Sequence, residues 1–250
     1  MITVRRSEER RADRKRQAWL MFHARDRNEA WTSTFAALEL FAEYQLPPGA
    51  QAPRQPSQDA ETITYVREGA LIYENGTGAR GVIGAGEFQR LTCERGVKHS
   101  EANASRTYGA HVFRFALRAS GAPLAPGHQE KRFSAAERRG VLRVVASPDG
   151  RQGSLPVHQD VLAFSAIMFP GQHLVHELSD GRRAWVHAVR GEVKLGDFLL
   201  GPGDGAAVVG ERAASFTTRE EAEVLLLDFA DVAPPGTVRS RERHRVRHRK

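Results

Sequence analysis

Three consecutive residues in the first half of the chain, His99-Ser100-Glu101, hold the clearest chemical potential. On a strand, positions two apart share a face, so this imidazole and carboxylate would converge on one side of a sheet. An inward His and Glu are the raw material of a mononuclear metal site, provided that a neighbouring strand supplies partners. The competing reading is an ion pair on a sheet edge, the commoner outcome for so short a motif. Cys93, six residues earlier, could act as a thiol nucleophile, but an isolated cysteine among apolar neighbours reads as a small buried hydrophobe. In the second half, His173 and His176 are three apart, which sends them to opposite faces of a regular strand. Together with His187 they read as structural or exposed, and Arg182 and Arg183 nearby would repel a cation. The stretch Gly201-x-Gly203-x-x-Ala206 has the letters of a dinucleotide-binding turn. Ala207-Val208-Val209 and then Gly210 follow where a helix would have to start, so that reading is rejected.

The elements that must position these groups are short. Runs rich in β-branched and aromatic residues recur at Thr62–Val66, Leu71–Tyr73, Val141–Val145, Leu162–Phe169, Ala184–Val189, Val193–Leu195, Phe198–Leu200 and Val224–Phe229, punctuated by Gly, Pro, Asn and Asp. Such spacing, without long helical periods, argues for a mainly β protein built of antiparallel sandwiches or barrels. The stretch Ala30–Tyr44 fits a helical period and a strand alternation equally well. The glycines mark an internal repeat: Val66-Arg67-Glu68-Gly69-Ala70-Leu71 precedes Ile83-Gly84-Ala85-Gly86-Glu87, and Val189-Arg190-Gly191-Glu192-Val193 precedes Leu200-Gly201-Pro202-Gly203-Asp204. Each copy reads strand, glycine turn, strand, then a Gly-x-Gly-acid turn. Two β-domains result, at 1–118 and 141–230, with a linker at 119–140 and a tail at 231–250. Within the linker, Ser134 is placed to cap a short helix through Arg138.

The 250 residues carry 40% apolar and 27% charged side chains and a formal charge of +7. Residues 1–16 hold +4 and residues 239–250 hold +6, which leaves a mildly acidic body of −3 between two basic ends. The final RSRERHRVRHRK reads as a solubilising extension, with contact to nucleic acid or an acidic partner as the lesser alternative. One cysteine excludes intramolecular disulfides and Cys-cluster zinc sites. The longest aliphatic run, Val224–Leu227, is far too short to span a bilayer, and no apolar stretch follows the charged start. The expectation is a cytoplasmic, monomeric protein with no membrane contact.

Several segments together resemble the pirin family of bicupins: ETITYVREGAL (61–71), GVIGAGEFQRLTCERGVKHSEAN (81–103), EKRFSAAERRGVLRVVASPDGRQGSLPVHQD (130–160), GRRAWVHAVRGEV (181–193) and LGPGDGAAV (200–208). The resemblance covers most of residues 1–229. It implies two tandem cupin barrels of the RmlC-like jelly-roll type, in agreement with the repeat, and it implies that Leu38–Leu46 is a strand. It further implies that the N-terminal barrel holds one metal, usually iron, through three histidines and one glutamate. Some members are quercetinases, and a eukaryotic member is a nuclear regulator.

The family's His-x-Glu pair stands here as His99 and Glu101. Its His-x-His pair does not: those positions are Gln55 and Ser57. A complete four-ligand zinc site is worth an apparent ~10–16 kcal/mol, so half a shell leaves only about millimolar to micromolar binding. Gln and Ser oxygens are weak neutral donors for a borderline metal. His111, on a later strand of the same barrel, and the more remote His23 are the only evident substitutes. The expectation is therefore a pirin-like bicupin without a competent metal centre, holding a small organic ligand or a protein partner at a pocket bounded by Gln55, Ser57, His99 and Glu101. The alternative is a quercetinase-type dioxygenase with one mononuclear iron, nickel, copper or zinc on His99 and Glu101. A third is a regulator acting through the basic termini.

Overall fold

The computed structural model describes residues 1–13, 18–23, 34–53, 60–74, 80–92, 99–118, 125 and 127–230. Gln55, Ser57, Cys93, the stretch 24–33 and the basic tail lie outside the described residues.

Four β-layers stack in the order small, large, large, small. One seven-stranded sheet runs Gly127–Arg132, Glu87–Thr92, Ala60–Glu68, Ala110–Arg118, Leu38–Leu46, Ala18–His23 and Arg11–Asp13. Its outer face is closed by the three strands Arg80–Gly84, Ala70–Glu74 and Ser100–Asn103. The second seven-stranded sheet runs Ile2–Arg5, Gly205–Val209, Arg182–Arg190, Ala222–Ala230, Val161–Met168, Arg143–Ser147 and Leu155–Pro156, and it is backed by the four strands His173–Glu177, Ala213–Thr217, Val193–Leu195 and Phe198–Leu200. The long strands read as continuous apolar runs because both of their faces are buried. On Ala110–Arg118, for example, Phe113, Phe115 and Leu117 enter the layer between the large sheets, while Val112 and Ala116 enter the first barrel.

The glycine repeat has a steric cause. Gly69 and Gly191 both have positive φ, of 75° and 67°. A Cβ on Gly69 would lie 2.6 Å from the Gly109 carbonyl oxygen and 2.9 Å from Ala110 Cα; on Gly191 it would lie 2.3 Å from the Glu221 carbonyl oxygen and 2.9 Å from Ala222 Cα. The same backbone crossing is built twice.

Sheet membership does not follow the boundaries at 118 and 140. Ile2–Arg5 pairs with Gly205–Val209 and is the edge strand of the second sheet, and Gly127–Arg132 pairs with Glu87–Thr92 and extends the first. Leu38–Leu46 is a strand as the resemblance implies, and the strand expected at Val141–Val145 begins two residues later, at Arg143. Ser134 caps the single turn Ala135–Arg138 through a capping box with Glu137. No helix among the described residues is long and apolar enough to cross a membrane.

The inter-sheet layer binds the barrels together. Phe35, Phe41, Trp185 and Phe229 cluster there, with Phe35 edge-on to Trp185 at 5.8 Å. Polar staples flank them. Buried Glu61 accepts from the His158 backbone N–H at 2.8 Å and pairs with the His158 ring at 3.0 Å, while Glu223 accepts from the Tyr65 hydroxyl at 2.5 Å and from Arg138 at 2.8 Å. His187 is 1% exposed, packs 4.7 Å from Phe41, and has no hydrogen-bond partner on either ring nitrogen among the described residues. Burial drives its pKa down to about 4, against the attraction of Glu43. Burial also acts to raise Glu43, but the His111 hydrogen bond and the charges of His187 and Arg10 bring it down to about 2.

A folded-state pKa below the unfolded value means that the unfolded chain takes up the proton first. Stability from a neutral His187 is therefore complete above about pH 6.5 and is lost as pH falls towards 4. Denaturant melts at pH 7 and pH 5 should show His187→Leu losing about 2 kcal/mol less than the wild type over that step. Equal losses in the two proteins would show that His187 is not the titrating group.

Candidate functional site

The interior of the first barrel is polar where a simple core would be apolar. The strand Ser100–Asn103 alternates exposed and buried positions, with Glu101 and Asn103 turned inward. His99 immediately precedes it, and its Nε2 lies 2.9 Å from Glu101 Oε1. The two side chains are only 6% and 2% exposed, so they converge on the interior face, and the pair is not a surface one although Ser100–Asn103 is the edge strand of its sheet.

The other Glu101 oxygen is occupied by a group that the motif does not reveal. Arg114 projects from Ala110–Arg118 on the same face as Val112 and Ala116, and its Nη2 donates to Glu101 Oε2. The guanidinium is fully buried. Its Nε donates to Thr64 Oγ1 at 3.3 Å, its Nη1 to the Pro53 carbonyl oxygen at 3.3 Å, and its plane lies 5.3 Å from the centre of the Tyr44 ring. A charge this deeply buried is retained only with a partner and satisfied donors, and Arg114 has both. Burial and then the Arg114 charge press the His99 pKa down to about 4, so the imidazole is neutral at pH 7. The neutral ring donates Nε2–H to Glu101 and keeps a lone pair on Nδ1, a buried atom with no partner among the described residues.

His111 does not join this group. Three residues from Arg114, it faces the opposite way and sits 2.7 Å from Glu43, between the large sheets. In the second barrel His176 pairs with Asp228 at 2.9 Å, His173 with Ser215 at 2.7 Å, and Asp228 also holds Arg182 at 2.7 Å, so these histidines serve structural contacts. No cluster of three or more His, Cys, Asp or Glu side chains able to hold a metal exists among the described residues.

This donor set does not suit a transition metal. Glu101 is spent on His99 and on Arg114, which leaves His99 Nδ1 as the one unpartnered donor atom of the pair among the described residues. A divalent ion on Glu101 would share one carboxylate with a guanidinium. At a separation of about 5 Å and an effective dielectric near 20, the repulsion is roughly 7 kcal/mol. That equals the ~5–8 kcal/mol that half a four-ligand shell could supply.

Comparisons agree on the architecture. A family model described as Pirin matches residues 3–115, and one described as Quercetinase C-terminal cupin domain matches residues 144–229. The chain is 31% identical over 198 residues to a quercetin 2,3-dioxygenase of Escherichia coli K12, covering 79% of this chain and 84% of that protein. It is 27% identical over 197 residues to a pirin-like protein of Caulobacter vibrioides, with 78% and 84% covered. A solved bacterial pirin from Escherichia coli, in complex with nickel(II), superposes with a TM-score of 0.82 at 30% identity, over 93% of this chain and all of that one.

Removing one partner of the buried pair strands the other. Arg114→Leu should cost about 3–5 kcal/mol in urea unfolding, and Arg114→Leu with Glu101→Leu should cost clearly less than the two single changes added together. Strict additivity would show that the two groups do not depend on each other.

Proposed function

Because the chain belongs to the pirin family of bicupins, with quercetinase-like relatives, we propose that it keeps the family's fold while its first barrel binds a small ligand without a transition metal. The observation that carries this reading is the fully buried guanidinium of Arg114 on the carboxylate of Glu101. Arg114 supplies one fixed positive charge, orients Glu101 by donating to it, and through Glu101 holds His99 in its Nε2–H tautomer. Gln55 and Ser57, at the positions of the family's other two ligands, complete the proposed pocket with neutral oxygen and amide groups. In this reading the barrel recognises a small polar molecule and performs no dioxygenase chemistry, because oxygen activation depends on the metal.

A second reading rests on the intact His99-x-Glu101 pair and on the relatives named quercetin 2,3-dioxygenase: a metal-dependent dioxygenase in which Arg114 leaves Glu101 on loading. Elemental analysis of the purified full-length protein separates the two. The metal-free reading expects far less than one iron, nickel, copper or zinc per chain and no binding on nickel titration. It also expects Gln55→His, Ser57→His and Arg114→Leu in combination to create nickel affinity. Near-stoichiometric metal in the wild type, lost in His99→Ala, would establish the dioxygenase reading instead.

A further inference from the structure

The first barrel contains a second His-x-Glu pair, His128-Gln129-Glu130, on the strand Gly127–Arg132. The register sets His128 opposite Leu91 and Glu130 opposite Gln89, and Gln89 in turn opposite Thr64, the residue that receives Arg114 Nε. Directly opposed residues of antiparallel strands share a face, so this pair looks into the same interior as Arg114. Its geometry copies the first pair. His128 Nε2 is 3.0 Å from Glu130 Oε1, just as His99 Nε2 is 2.9 Å from Glu101 Oε1. Glu130 Oε1 also accepts from Gln89 Nε2 at 3.2 Å. Tyr73 lies between the pairs in the contact chain, its ring 6.2 Å from the His99 ring and 5.0 Å from the His128 ring.

The hydrogen-bonding capacity left over is one-sided. The nitrogens of Arg114 are committed to protein oxygens, and the Gln89 amide nitrogen lies within hydrogen-bond distance of Glu130 Oε1 and of His128 Nε2, at 3.1 Å. Among the described residues, the buried atoms on this face without partners include His99 Nδ1, Gln89 Oε1 and Thr62 Oγ1, that is, two acceptors and one hydroxyl. Gln89 is fully buried and Thr62 is 1% exposed. Leaving such acceptors empty costs about 1–3 kcal/mol each, which a ligand's N–H groups would recover. Among the described residues the charge is one-sided as well, since Glu101 and, at the sheet edge, Glu130 accompany the single guanidinium of Arg114 on this face. At the edge strand the His128 and Glu130 side chains are 33% and 30% exposed.

From this arrangement we propose that the first barrel binds a small planar organic cation with N–H donors, of the amidinium or guanidinium type, between the His99–Glu101 and His128–Glu130 pairs. Glu130 receives its charge, Gln89 Oε1 and His99 Nδ1 accept its N–H groups, and the Tyr73 ring offers a face to it. The assignment rests on the metal-free reading above, because a divalent ion at Glu101 would turn the interior net positive and reverse the preference.

Three probes of one shape and different charge test it on the full-length wild type: benzamidinium, neutral benzamide and benzoate, by calorimetric titration alongside elemental analysis. Saturable benzamidinium binding is expected, weakened at least about tenfold in Glu130→Gln and in Gln89→Leu, with benzamide weaker and benzoate silent. Benzamide binding as tightly as benzamidinium, or no binding of any probe, would overturn the assignment. So would benzoate binding to metal-free protein, which would leave the metal-free reading intact. Benzoate binding to protein that carries stoichiometric metal would remove both. If either variant fails to fold, the ranking of the three probes on the wild type still decides.

Discussion

A single carboxylate governs the first barrel. Glu101 is buried beneath the outer three-stranded sheet, and a buried carboxylate must find a positive charge or take up a proton. In this chain the charge is built in. Arg114 reaches it from the next strand in the chain, which lies in the large sheet, and is itself held by the more distant Thr64, the Pro53 carbonyl and the Tyr44 ring. Once the guanidinium is in place, much else follows. His99 is pinned through Nε2 and kept neutral, the inward-facing Thr64 gains a partner, and any divalent ion approaching His99 and Glu101 would meet a buried guanidinium.

The second barrel does different work. Its His173 and His176 are taken by Ser215 and Asp228, and its large sheet serves chiefly to cover the back of the first. The covering is specific. Glu61 reaches across to His158, Tyr65 and Arg138 meet at Glu223, and the N-terminal strand is laid into the far sheet before Arg10 returns to Glu43 of the near one. These ties fix the strand Ala110–Arg118 from behind, through Phe113 and Phe115, and so fix where Arg114 points on its other face. The rigidity of a site in one barrel is supplied in part by packing against its neighbour.

Much of this was legible in the sequence. The glycine repeat announces two barrels because the same backbone crossing excludes a Cβ at Gly69 and at Gly191. The two-residue spacing of His99 and Glu101 gives their convergence, and the Ser134–Glu137 spacing gives the helix cap. What stayed hidden depends on partners distant in the chain. Ile2–Arg5 pairs with residues near 208, and nothing local chooses the second sheet over the first. Gly127–Arg132 is polar throughout, so it reads as a connector, although it is an edge strand whose His128 and Glu130 share a sheet face with Leu91 and Gln89. Arg114 did leave a trace, as a lone charge at an inward position between Val112 and Ala116. Its partner becomes evident only once the outer sheet is folded over it.

Crystals of the full-length protein grown or soaked with nickel(II), with anomalous scattering measured at the nickel edge, examine the central pairing at atomic level. The account predicts no anomalous peak beside His99 and Glu101 and a guanidinium still seated on the carboxylate. A strong peak bonded to both side chains, with Arg114 turned away, would contradict it.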